Sequence, residues 1–361
     1  MPGSCFRVAA GGLCAGPAAH EPFTNWKTPM TVTSKAELLS PRGAPAPFVR
    51  YFGWATMFVL LAFIINNVLI VWYDFPMLTS MLNDSISDRS WISVGLYAAA
   101  LGLAALVVAQ TPNRTLRYDA TKISDFNAYL IRGCFFAVLF VGVADFGIAF
   151  LRVEGLLDTV FPENLAKEMN RSQFIGPIIH MPLVILGFVV ALFSRSLGFI
   201  WLALLIVVAE LLIVISRFVF SYEQALMGDL VRYWYAALFL FASAYTLLKE
   251  GHVRVDVLYA GFNSARKGRV NSIGAILLGM TTAWAILIIG MGSKQAIINA
   301  PIVNFEVSQT GTAGMYVKYQ MAAFLAIFAI TMLIQFVSYL FEAVADARDE
   351  PGHRDHAAVS H

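Results

Sequence analysis

GFIWLALLIVVAELLIVISRFVF, residues 198–220, carries only two ionisable side chains, Glu210 and Arg217, in an otherwise apolar run. A helix needs ~20 such residues to cross the ~30 Å hydrocarbon core of a bilayer, so this stretch predicts a transmembrane helix. Seven further runs on either side qualify: 51–73, 92–110, 130–151, 174–193, 230–248, 271–291 and 319–343. Tyr51, Trp54, Trp72 and Tyr73 close the two ends of the first, where interfacial aromatics belong. Pro177 and Pro182 interrupt the fourth and predict a kink. The composition agrees: of 361 residues, 58% are hydrophobic and 13% charged, with a mean hydropathy of +0.69. Each charge at the bilayer centre costs roughly 2.5–3.5 kcal/mol, which explains the scarcity. The expected fold is all-α, a polytopic helical membrane protein of about eight transmembrane helices.

Residues 1–49 are rich in Gly, Ala and Pro and read as a flexible tail, in which Met30 is an alternative start; 346–361 is a polar C-terminal tail. The turn between the fourth and fifth runs has about four residues, Ser194 to Leu197, which predicts an antiparallel hairpin. It also divides the chain into an N-terminal four-helix region, 50–197, and a C-terminal one, 198–345. About two-thirds of the 25 Lys and Arg fall on the side of the N-terminus. The positive-inside rule then places both termini in the cytoplasm. The net charge of +2 and the absence of a basic run with interleaved aromatics argue against nucleic acid. Cys5, Cys14 and Cys134 form no metal-binding pattern, and Cys134 reads as a small buried residue. No nucleophile elbow, zinc motif or phosphate loop points to an enzyme, and no cofactor or catalytic residue is expected.

Glu250-Gly251-His252-Val253-Arg254-Val255-Asp256 is a dense polar island between the sixth and seventh runs. Gly251 suits a helix C-cap and Asp256 an N-cap. Residues 257–270, with Arg266, Lys267 and Arg269, suit an interfacial segment whose basic rim faces anionic membrane lipid. Physics alone favours a membrane-surface connector; the sharper reading is a docking element in which Arg254 and Asp256 pair with fixed partners. A second cluster, at the other surface, comprises Arg217, Glu223, Asp229 and Arg232. These charges either neutralise one another at helix ends or meet an external acidic surface.

The order Arg217-Phe218-Val219-Phe220, turn Glu223, an aromatic-rich span, then Glu250 to Asp256 and two more spans resembles the small membrane subunit (Q-type) of tripartite ATP-independent periplasmic (TRAP) transporters. The resemblance covers about 198–343 and leaves the extra N-terminal spans, 51–193, without a role. Family members often carry a Trp and two acids where this chain has Tyr222, Glu223 and Gln224, and a Leu-Pro where it has Asn263-Ser264-Ala265. The resemblance implies a bacterial inner-membrane subunit that scaffolds a large permease, not itself a translocator. The permease would use a sodium gradient, and a periplasmic substrate-binding protein would deliver an organic acid or similar solute. On that reading, charges concentrated at a helix junction suggest subunit-interface roles for Glu250, His252, Arg254 and Asp256, with Glu210 added, and the expected periplasmic side of Arg217, Glu223 and Arg232 suggests contact with the binding protein.

Intramembrane ionisable residues are functional suspects by default. Asp145 and His180 are the other two, and pairing with each other or with a bundle hydroxyl competes with proton relay. For Glu210, a bond to a neighbouring helix or the large subunit competes with ion coupling. Two other classes remain open: an autonomous eight-span ion-coupled carrier, and a haem-binding redox subunit, which would need His pairs on facing helices.

Overall fold

The computed structural model describes residues 45–76, 88–194, 199–222, 225–248, 259, 261–308 and 311–350. Eight helices long and apolar enough to cross a membrane run through them: α1 Pro47–Tyr73, α2 Asp88–Gln110, α3 Leu116–Val153, α4 Ser172–Phe193, α5 Phe199–Val219, α6 Ala225–Leu248, α7 Ser264–Met291 and α8 Lys318–Ala347. Every regular element among the described residues is helical. Two short helices, Leu157–Val160 and Glu163–Glu168, lie between α3 and α4. Asn299–Val303 and a 3-10 turn lie between α7 and α8.

The observed α3 starts well before the run at 130–151. Thr115 caps it, its side chain accepting from the Tyr118 N–H. Leu116, Ala120, Ile123, Asn127 and Ile131 then recur on one buried face, while Lys122 and Asp125 stay exposed. At 38 residues the helix is ~57 Å long, so it stands clear of a ~30 Å hydrocarbon layer. Residues 264–270 likewise differ from expectation. They are the first turns of α7 and not a separate interfacial piece, because Asn263 caps the helix by accepting from the Arg266 N–H at 2.9 Å. Pro177 and Pro182 have no amide N–H to continue the regular ladder, and the turn Gly176–His180, which contains Pro177, is π-helical.

α3 and α8 form the centre. Half of the most apolar stretch of each is buried, against 17% for α2 and α5. α3 packs on α4, α6 and α8; α8 also takes α1, α6 and α7; α2 rests on α1. The turn expected at Ser194 to Leu197 lies largely outside the described residues; of the helices it joins, α4 packs chiefly on α3 and α5 on α6. Gly187 of α4 lies on the backbone of α3, where an added Cβ would come 2.4 Å from the Ala137 nitrogen. Leu202, Ile206 and Ala209 of α5 instead join the core around Tyr233, Trp234 and Phe241 of α6. A second core joins Leu60, Leu116, Ala283, Leu333 and Phe341 from α1, α3, α7 and α8. Both cores therefore mix helices from either side of residues 194–199.

A polar seam runs along α3 and α8. Ser338 donates to the Ala120 carbonyl at 2.9 Å and stands 2.8 Å from Ser124; Gln335 donates to Ser124 at 3.3 Å. Asn127 donates to the Thr331 carbonyl at 2.9 Å and to Gln335 Oε1 at 3.2 Å. In hydrocarbon, burial gives helices no hydrophobic reason to associate, so such bonds and close packing take over.

Gly187→Val should destabilise the α3–α4 contact by about 1–3 kcal/mol through overpacking. Gly102→Val, where nothing lies within 4 Å of an added Cβ, should leave the melting temperature in detergent near that of the wild type.

Candidate functional site

The densest buried polar cluster gathers Asp145 of α3, His180 in the π turn of α4, Tyr233 of α6 and Tyr319 and Gln320 of α8. Asp145 and His180 are fully buried, and His180 Nε2 stands 3.3 Å from Asp145 Oδ1. The hydrogen bonds have one consistent direction. Tyr233 donates to Gln320 Oε1, and Gln320 Nε2 donates to the Tyr319 hydroxyl at 3.0 Å. The Tyr319 hydroxyl stands 2.9 Å from His180 Nδ1; with the hydroxyl as donor, the imidazole proton sits on Nε2, facing Asp145. That approach is not aligned as a hydrogen bond: neither His180 Nε2 nor Asp145 Oδ1 has a hydrogen-bond partner among the described residues. The other carboxylate oxygen, Oδ2, accepts from the Tyr316 N–H at 2.7 Å.

The loop before α8 is pinned from several helices. Arg152 donates to the Gly314 carbonyl at 2.7 Å, and its guanidinium lies 3.8 Å over the Tyr316 ring. Asp229 accepts from the Met315 N–H at 3.2 Å, and the Tyr316 hydroxyl donates to the Asn170 carbonyl at 3.0 Å. Burial raises the Tyr316 pKa above its usual value; neighbouring Arg152 pulls it down and Asp145 adds to the rise. With no exposed surface on Asp145 or His180, this arrangement anchors the N-terminal helices to α6 and α8. It offers solute no open cradle.

The opposite end of the bundle holds charges that sequence reasoning counted only as topological markers. Arg50 donates to Asp119 at 2.8 Å and to the Thr111 carbonyl and hydroxyl at 2.5 and 2.7 Å; Trp54 Nε1 donates to the same Asp119. Arg117 meets Glu342 at 2.7 Å and Asp346 at 2.5 Å. These bonds hold the starts of α1 and α3 and the end of α8 at one end. The nearest signal in the sequence was the Leu116–Ile131 periodicity, which turns Arg117 and Asp119 inward.

α5 and the outer side of α6 form the other candidate surface. Only the Leu202–Ile206–Ala209 stripe of α5 is buried; Val207, Leu211 and Val214 are exposed, and so are Glu210 and Arg217. Glu210, near the middle of this helix, has no hydrogen bond or ion pair among the described residues. Arg232 is exposed, 3.6 Å from the buried Asp229. Glu223, Glu250, His252, Arg254 and Asp256 lie outside the described residues. Among the described residues, no group of three or more His, Cys, Asp or Glu stands close enough to hold a metal.

Arg50→Ala strands the buried Asp119 and should cost about 3–5 kcal/mol of stability. Glu163→Ala, which breaks an exposed pair with Lys167, should cost under about 1 kcal/mol. Unfolding in detergent, followed by circular dichroism, separates the two.

Residues 203–346 match a family model described as Tripartite ATP-independent periplasmic transporters, DctQ component. No curated protein and no solved structure matches the chain.

Proposed function

We propose that this chain, whose residues 203–346 belong to the DctQ family of TRAP transporters, is a small membrane subunit that braces a large permease in a sodium-driven carrier. A periplasmic binding protein supplies the solute, an organic acid or similar small molecule, at the bacterial inner membrane. The end of the bundle carrying Arg50 and Arg117 then faces the cytoplasm, and the Tyr316 end faces the periplasm.

The observation that carries the scaffold reading is Glu210. A carboxylate in the middle of an apolar, exposed helix face costs a few kcal/mol in lipid. Cover by a partner that donates hydrogen bonds removes that cost. α5, buried along one narrow stripe, is the helix that presents it. Arg217 and Arg232 stand exposed toward the Tyr316 end and supply positive charge for the binding protein. Arg254 and Asp256 are assigned to the permease interface from the resemblance.

Co-purification with the large permease tests the interface. Glu210→Leu and the Arg254→Ala/Asp256→Ala pair should each lower the permease recovered by at least about tenfold, the equivalent of 1.4 kcal/mol. Wild-type recovery from both would remove the scaffold assignment. Proteoliposomes containing this chain alone should show no sodium-driven uptake; uptake there would favour the autonomous carrier instead.

A further inference from the structure

A groove of about 530 Å³ runs between α7 and α8, floored by Gly274, Gly279 and Phe328 and flanked by Val270, Leu278 and Phe336. Its origin is local. The π turn Ala275–Met280 shifts the register of α7, and Gly274 leaves no side chain to fill the space, while the Phe336 ring packs over Gly279. The lining extends from Val270 to Ile286 on α7, ~24 Å of helix, and from Phe328 to Tyr339 on α8, ~16 Å, against a ~30 Å hydrocarbon core. The groove is therefore shorter than the hydrocarbon core on both of its walls.

Its end at Val270 and Asn271 lies one turn beyond Arg266 and Lys267, on the same face of α7. Arg266 and Arg269 are exposed and Lys267 is half-buried over the Tyr259 ring. None of the three has an acidic partner among the described residues. The acids nearest on α8, Glu342 and Asp346, already pair with Arg117. Positive charge with no acidic partner among the described residues, at the mouth of an apolar slot shorter than the hydrocarbon core, complements an anionic amphiphile.

We propose that the α7–α8 groove holds an acyl chain of an anionic phospholipid whose phosphate sits against Arg266, Lys267 and Arg269. This assignment stands on the membrane-spanning fold and not on the transport reading. The lipid fills space between α7 and α8 that the chain leaves empty and joins the basic start of α7 to the bilayer surface.

Native mass spectrometry of the purified full-length chain, titrated with phosphatidylglycerol or phosphatidylcholine of equal chain length, tests it. The wild type should retain one phosphatidylglycerol in preference to phosphatidylcholine. Arg266→Ala/Arg269→Ala should weaken phosphatidylglycerol retention about fivefold per charge and leave phosphatidylcholine unaffected. Gly274→Leu should weaken both lipids, and nothing within 4 Å of an added Cβ at Gly274 obstructs the backbone. The two variants alter different parts of the site, the headgroup contact and the apolar slot, so each tests the proposal if the other is poorly expressed. Equal retention of the two lipids by the wild type would overturn it. So would Gly274→Leu that loses a co-purifying permease while keeping phosphatidylglycerol, since a protein segment would then be the occupant.

Discussion

The contact between α3 and α8 is the constraint on which the other helices depend. Its Ser124, Asn127, Gln335 and Ser338 side chains hydrogen-bond to one another and to two backbone carbonyls in the buried contact. A polar group left unpaired there costs more than in water-accessible protein, and the two helices therefore have one favourable register. α4 and α6 then pack against α3, and α1 and α7 against α8. α2 and α5 remain outside, largely exposed.

That centre joins the two parts of the chain. α3 comes from the extra N-terminal region and α8 from the segment that matches the DctQ family, and they share both large cores. The buried cluster of Asp145 and His180 with Tyr319 repeats the arrangement at one end, and the pairs of Arg117 with Glu342 and Asp346 at the other. The additional spans thus build part of the packing environment of the family region. Within that assembly, Glu210 on α5 is exposed and a groove lies beside α7, the first proposed to meet a protein surface and the second a lipid.

Much of the fold is legible in hydropathy because lipid solvates all of the apolar runs alike. The eight runs therefore become eight helices. Hydropathy fails where a helix leaves the membrane: residues 116–129 are too polar for an apolar window, yet their 3.6-residue periodicity makes them the opening turns of α3. Hydropathy also does not place α4 and α5, which Gly187 and the Leu202 stripe direct to different neighbours. Of the candidate site, Asp145, His180 and Glu210 are conspicuous in sequence because ionisable groups are rare in apolar runs. Their environments are not conspicuous: the first two are buried together, and the third faces outward.

The sequence by itself determined the number of spanning helices, the positions of the intramembrane charges and the likeness of the C-terminal spans to a transporter subunit. These follow from composition along the chain and from residue order, which water and lipid read locally. Only the tertiary structure decided which helices lie at the centre, which polar groups meet across them and which remain exposed. Those outcomes depend on side-chain direction and on contacts separated by up to a few hundred residues, as when Arg117 meets Glu342 and Asp346. Local hydropathy assigns the same value to a residue facing lipid and to one facing another helix, so it cannot distinguish them.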